Sequence, residues 1–404
     1  MNHRLAIAIV FVCVASCNPS LPTSPDLYVD FEIIDAPTSP LSNDGKAFMN
    51  GVYQVVQGKG ELGNLVIGRW VGNRWCVYTQ HDVVFSVCAG GSSGDSIKLI
   101  GYTRVVRSGA GKRVQYTVSR DDGAQELISA VTPPALRLQG ITDDGEKIEL
   151  RRIRDANTSR FERLAHRGGS RNSERLGISE NSIAMVRYAS LMGATGVEVD
   201  VKRTRDNQLI VFHDDSFSPR TVQGVYLLGK VGDFDLEQIT ALGRLVNGEK
   251  IPTLSEMLTA VIDDTDLSLV WLDVKDAAAV AQVVQIQNER LAYAAAKGRD
   301  SLSILLGIPA QNVLDAYMPF KDVSDALCEL EASTVSQLPR CRVWAPTWTR
   351  DISVSDIAML HAQGKRVFTW TVDIREGMLD YLSKVDGILT NYPSLVTALH
   401  GSKE

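Results

Sequence analysis

The residues of this sequence best suited to chemistry are two histidines and two pairs of charged residues spaced two apart. His166 closes the short apolar run LAH, and His213 closes LIVFH. Between them, GVEVDV sets Glu198 and Asp200 among Val197, Val199 and Val201. In a strand, residues two apart share a face, so both carboxylates project together while the valines face the other way. Carboxylates crowded on one face repel unless a cation or proton lies between them. That spacing points to a metal site. LVWLDVK repeats it with Asp273 and Lys275, an acid and a base on one inward face. Histidine titrates near neutral pH, so His166 and His213 can each take a proton or deliver one.

Elements that could position these residues follow from the texture of the chain. Beyond Arg160, strands and helices alternate. RLAH, GVEVDV, LIVFHD, SLVWLDVK, NVLDAYM, RVWAPTW, RVFTWTV and DGILTN read as strands. NSIAMVRYASLMG, LSEMLTAVID, AAAVAQVVQIQNERLAYAAAKG, DALCELEAS, VSDIAMLHAQG and REGMLDYLSK read as helices. Eight strands with crossovers over residues 160–404 fit a closed (β/α)8 TIM barrel, which takes about 250 residues and builds its site at the C-terminal strand ends. Only a short polar turn, KRTRDNQ, separates GVEVDV from LIVFHD, so that crossover lacks its helix.

Residues 45–155 have an all-β texture. GVYQVV, NLVIGRW, RWCVYT, VVFSVC, SIKLIGY, RVQYTVS, ALRLQG and KIELRRI alternate in polarity and are separated by turn residues. A small antiparallel barrel or sandwich preceding the TIM barrel is expected, making the chain multi-domain. An eight-stranded barrel can hold a small ligand or fill itself with side chains. The turn near His81-Asp82 is expected to set Cys76 opposite Cys88 as a disulfide, with Cys328 and Cys341 as a second candidate pair. An oxidising compartment would favour both.

The N-terminus supports export. Basic Met1–Arg4, apolar Leu5–Ala15 and the small residues before Cys17 make residues 1–16 a signal, too short to span a bilayer as a helix. The ending is similar to a bacterial lipobox, which implies a lipidated Cys17 and a Pro-containing tether over residues 17–44. The alternative is a plain secretory signal with an incidental cysteine. A membrane partner through the lipid anchor and a cell-envelope location, facing the periplasm or exterior, follow from the first reading. The formal net charge of −6 argues against a nucleic-acid partner. Composition, at 44% hydrophobic and 22% charged, is that of a soluble globular protein and leaves the oligomeric state open.

HRGG, then ENS, G-x-E-x-D and a strand ending in HD resemble the glycerophosphodiester phosphodiesterases. IPTLSEML, LDVK, FTWTVD and DGILTNYP continue the resemblance in order, over about residues 160–400. The resemblance implies metal-dependent hydrolysis of a small glycerophosphodiester to sn-glycerol 3-phosphate and an alcohol. It implies Glu198, Asp200 and Asp273 as ligands of a divalent metal, Ca or Mg, and His166 and His213 as the acid–base pair. Arg167 and Lys275 would hold the phosphate. Trp370 would line the mouth or simply pack. Glu180 would orient a histidine or cap the helix beginning near Asn181. The family commonly carries Glu at the position of Asp273 and Asp at that of Asn391, and the spacing from His166 to Glu180 implies an enlarged first loop. Phospholipase C/D-like cleavage of intact lipid, or a non-catalytic binding or adhesion lipoprotein, are the alternatives.

Overall fold

The computed structural model describes residues 38–81, 83–106, 111–224 and 227–403. The signal, Cys17 and most of the tether lie outside the described residues.

The alternating segments of the N-terminal half become eight antiparallel strands: Gly51–Gln57, Leu65–Val71, Arg74–Thr79, Val84–Ser93, Ser96–Val105, Gly111–Val118, Arg137–Thr142 and Lys147–Arg154. They run up and down in chain order, and the first pairs with the last to close a barrel. Period-two alternation decides which side chains enter it. On Arg74–Thr79, Trp75 and Val77 point inward, whereas Cys76 and Tyr78 pack outward against the second domain. Tyr53 and Trp75 meet edge-on inside at 6.0 Å. A Cβ on Gly68 would come within 2.5 Å of the Trp75 ring, so glycine is what lets the indole lie there. Side chains fill this barrel. Three short helices, Asn43–Met49, Lys59–Leu62 and Ala124–Ile128, supplement the strands.

The register also removes the expected Cys76–Cys88 disulfide. Trp75 lies opposite Cys88 and Cys76 opposite Val87. One residue of offset sends Cys88 inward and Cys76 outward, and a bridge needs both Cβ atoms facing each other. Cys328 and Cys341 are thiols too, buried on neighbouring parallel strands, with the Cys341 thiol donating to the Val343 carbonyl at 3.5 Å.

The C-terminal half is a closed barrel of eight parallel strands: Glu162–Ala165, Gly196–Arg203, Leu269–Val274, Ser303–Ile308, Ala326–Cys328, Cys341–Trp344, Arg366–Thr369 and Gly387–Thr390. Leu164, Trp271, Leu305, Leu327, Val343, Phe368 and Leu389 fill its interior. Three of the expected segments behave differently. Leu209–Val211 pairs antiparallel with Gly196–Arg203 instead of joining the barrel. It opens an excursion whose Phe212, Phe217, Val222, Leu227 and Ile239 make a small core of their own. NVLDAYM is helical, because Val313, Leu314 and Tyr317 bury one helix face. DALCELEAS instead contains the strand Ala326–Cys328. The fourth and fifth barrel strands are therefore SILLGI and ALC.

The two barrels share a core. Val52, Ile67, Cys76, Tyr78 and Phe85 pack with the outer layer of the parallel barrel. Phe85 meets Tyr188 at 5.8 Å, and the Tyr78 hydroxyl donates to the Leu191 carbonyl at 2.8 Å. The helix Pro393–Gly401 is buried along its whole length at this seam. Cavities of about 580 and 530 Å³ also lie there, near Arg187 and Asp264 and near Arg69 and Arg163.

Candidate active site

Counting two residues on from each interior side chain leads to the C-terminal rim of the parallel barrel. Leu164 leads to His166, Trp271 to Asp273, Phe368 to Trp370 and Leu389 to Asn391. Glu198 and Asp200 share the register of Trp271 and Asp273 on the next strand, with Asp200 directly opposite Asp273.

Glu198, Asp200 and Asp273 each bring a carboxylate oxygen within 4.8 Å of the others. Glu198 and Asp200 are almost wholly buried. Burial and then its two acidic neighbours raise the Glu198 carboxyl well above its usual range. Burial raises Asp273 as well, while burial of Asp200 is outweighed chiefly by the Lys275 charge, and its carboxyl is held below its usual range. Lys275 donates to Asp200 at 3.0 Å and pairs with Asp273 at 2.7 Å. One oxygen of Glu198 (Oε1) and one of Asp273 (Oδ1) are buried with no hydrogen-bond partner. Orphaned carboxyl oxygens within such a cluster fit a hard divalent cation, which would complete their coordination.

The histidines flank this cluster, and their neighbours fix their protons. Asp373 accepts hydrogen bonds from the Asn391 backbone at 2.8 Å and from its amide nitrogen at 2.6 Å. The Asn391 amide oxygen is thereby turned to His166, accepting from Nδ1 at 3.0 Å. Nε2 of His166 is then unprotonated, 3.9 Å from Glu198. Burial, then the Arg167 charge, push this imidazole down to about 4. His213 Nδ1 donates to Asp214 at 2.8 Å, and its Nε2 accepts from Arg167 at 2.8 Å. His213 does not stand on a barrel strand; it follows the antiparallel return Leu209–Val211.

Arg167 ties the parts together. Its backbone N–H donates to Glu198 at 2.8 Å, and its guanidinium donates to Glu180 at 2.8 Å as well as to His213. The residue is left-handed (φ 52°), followed by Gly168 at φ 81°. Glu180 accepts from the Asn172 backbone at 2.9 Å, so it orients Arg167 and closes the loop; Ser182, not Glu180, caps the following helix. Asn181 donates to Asp200 at 2.9 Å, a role that the helix-start reading of ENS missed. Trp370 stands edge-on to Trp271 at 6.5 Å and donates to the Ala345 carbonyl at 2.7 Å. The sequence reading also missed Asp373, Arg220 (2.6 Å from Asp214) and Glu329 on the same rim. Burial, then the Asp273 charge, push Glu329 up to about 8.

Residues 166–304, which begin at the first catalytic candidate, match the model of the Glycerophosphoryl diester phosphodiesterase family. They form a domain of that family. A glycerophosphodiester phosphodiesterase of Caldanaerobacter subterraneus subsp. tengcongensis is 29% identical over 253 residues, covering 58% of this chain and 96% of its own. Glycerophosphodiester phosphodiesterase 1 of Homo sapiens is 35% identical over 124 residues, covering 29% of this chain and 34% of its own. The crystal structure of a glycerophosphodiester phosphodiesterase from Parabacteroides distasonis aligns with a TM-score of 0.46 at 20% identity, covering 59% of this chain and 95% of the other. In this diesterase domain the acids, both histidines, Arg167 and Lys275 stand around one point of the rim. Cys76, Cys88, Cys328 and Cys341 lie elsewhere.

Proposed function

We propose that this chain hydrolyses small glycerophosphodiesters to sn-glycerol 3-phosphate and an alcohol, with a divalent cation, Ca or Mg, held by Glu198, Asp200 and Asp273. The observation that carries the reading is the pair of orphaned oxygens, on Glu198 and Asp273, flanked by two imidazoles whose protons are fixed by their neighbours. When bound, the cation would offset the charge gathering on the phosphate oxygens.

The chain's own groups supply the rest. Neutral His166 presents Nε2 as the base that takes the proton of the attacking oxygen, from water or from the substrate's neighbouring hydroxyl. His213 is aligned by Asp214 at Nδ1; once Arg167 turns from Nε2 to the phosphate, that nitrogen takes a proton from solvent and delivers it to the departing alkoxide as the phosphorus–oxygen bond breaks. Arg167 reaches the phosphate with a fork of donors and Lys275 with a point charge. The lipidated Cys17 would anchor the enzyme to the envelope, where soluble diesters reach it freely.

Hydrolysis of glycerophosphodiesters with and without chelator, wild type beside His213→Ala, tests the reading. Chelation is expected to abolish turnover, and the variant to lose about 10²- to 10⁴-fold in kcat, as general acid–base groups do. Full activity in chelator would remove the metal assignment. Headgroup release from vesicles without activity on soluble diesters would favour the phospholipase C/D-like alternative instead.

A further inference from the structure

We propose that Glu329, with Trp370, reads the alcohol half of the substrate and favours diesters whose alcohol carries an ammonium group. This deepens the diesterase reading above and rests on it.

Geometry places Glu329 on the rim. Leu327 fills the barrel interior, and Glu329 follows two residues later, just past the strand Ala326–Cys328. Its backbone N–H donates to the Ile308 carbonyl at 3.1 Å, which keeps it in strand register at the C-terminal edge. By the same count Asp273, Trp370, Asn391 and His166 lie on that edge. Glu329 occupies the arc away from the histidines, with Trp370 two strands further on.

Other rim charges are already matched. Arg167 pairs with Glu180, Lys275 with Asp200 and Asp273, and Asp214 with Arg220, while Asp373 accepts from Asn391. Glu329 is partly buried, and among the described residues its carboxyl has no hydrogen-bond or ion-pair partner. A half-buried carboxyl without a partner is costly, and a ligand that brings one recovers that cost on binding. Lys275 pairs with Asp200 and Asp273 and makes no ion pair with Glu329. The indole N–H of Trp370 is engaged by Ala345, so this residue offers the rim a ring face and no donor. Burial alone favours the protonated acid, and an ammonium group brought against it would favour the carboxylate, which beside an aromatic face suits a primary or quaternary cation. A neutral polyol would find an acceptor at Glu329 and little at the ring.

The test compares kcat/KM for glycerophosphocholine and glycerophosphoethanolamine with that for glycerophosphoglycerol, in wild type, Glu329→Gln and Glu329→Asp. Wild type is expected to prefer the ammonium diesters. Glu329→Gln should lose about tenfold or more on them, the scale of one desolvated charge contact, and stay within about twofold on glycerophosphoglycerol. Glu329→Asp should retain part of the preference. Choline chloride should inhibit wild type competitively and Glu329→Gln more weakly, a binding readout independent of turnover. Equal losses on all three diesters, or unchanged choline inhibition, would overturn the proposal. A wild type inactive on every diester would overturn the diesterase reading itself.

Discussion

At the scale of single residues, the site depends on where two protons sit. Asp373 turns the Asn391 amide, Asn391 fixes the His166 tautomer, and the tautomer leaves Nε2 beside Glu198. Asp373→Asn is therefore expected to lower kcat about 10- to 100-fold, the usual cost of losing a partner that orients a catalytic ligand, while KM changes little. A change confined to KM would contradict this. If His213 is the proton donor, its need vanishes when the leaving group needs no proton. His213→Ala should then be far less impaired with a p-nitrophenyl phosphodiester than with an alkyl one; equal impairment would return the acid role to His166. Four of the site's side chains were legible from strand spacing alone, because residues two apart on a strand share a face whatever surrounds them. Glu198 with Asp200, and Asp273 with Lys275, needed only that rule. Asp373, Asn181 and Arg220 were not legible as parts of the site. Their roles come from contacts between distant segments, such as the 19 positions from Asn181 to Asp200, and no local period records those.

At the scale of elements, the loop after the first barrel strand does the positioning. Arg167 is left-handed and Gly168 follows at φ 81°, so the chain reverses tightly enough to aim a backbone N–H and a guanidinium at different acids. Gly169 fits because it has no side chain: a Cβ there would lie 2.5 Å from both Cγ and Sδ of Met185. Gly169→Ala must displace Met185 or the loop. An overpacking cost of about 1–3 kcal/mol is expected, read as a lower midpoint in urea, with kcat falling because Arg167 moves. A variant with wild-type stability and kcat would mean that Met185 yields freely. The same scale explains where strand reading failed. Ala326–Cys328 is only three residues long and sits among helix-forming neighbours, so its alternation was too short to detect. NVLDAYM carries β-branched and aromatic residues, yet buries them at helical spacing. All eight strands of the N-terminal barrel were legible, since each alternates over at least six residues between turn signals.

At the scale of the whole molecule, the antiparallel barrel, filled by side chains such as Tyr53, Trp75 and Tyr116, acts on the site through its surface. Arg104 is 3% exposed and donates to the Leu176 carbonyl, in the loop between Arg167 and Glu180. Leu176 and Ile178 from that loop bury themselves in one core with Val83, Phe85 and Val106 of the antiparallel barrel. The far side of the loop is held by Tyr392, whose hydroxyl donates to Glu174 at 2.7 Å. Glu180 therefore meets Arg167 at the end of a segment gripped from both domains. Arg104→Ala removes the grip from one side and leaves a buried carbonyl without its donor, a loss of about 1–3 kcal/mol. The expected result has three parts: a lower unfolding midpoint, faster protease cleavage within residues 170–181, and a kcat reduced more than stability alone explains. Arg104→Lys, which can still donate, should restore part of the kcat. If Arg104→Ala destabilises the protein but folded enzyme turns over at the wild-type rate, the antiparallel barrel is a passive neighbour, and the loop keeps its shape from the parallel barrel alone.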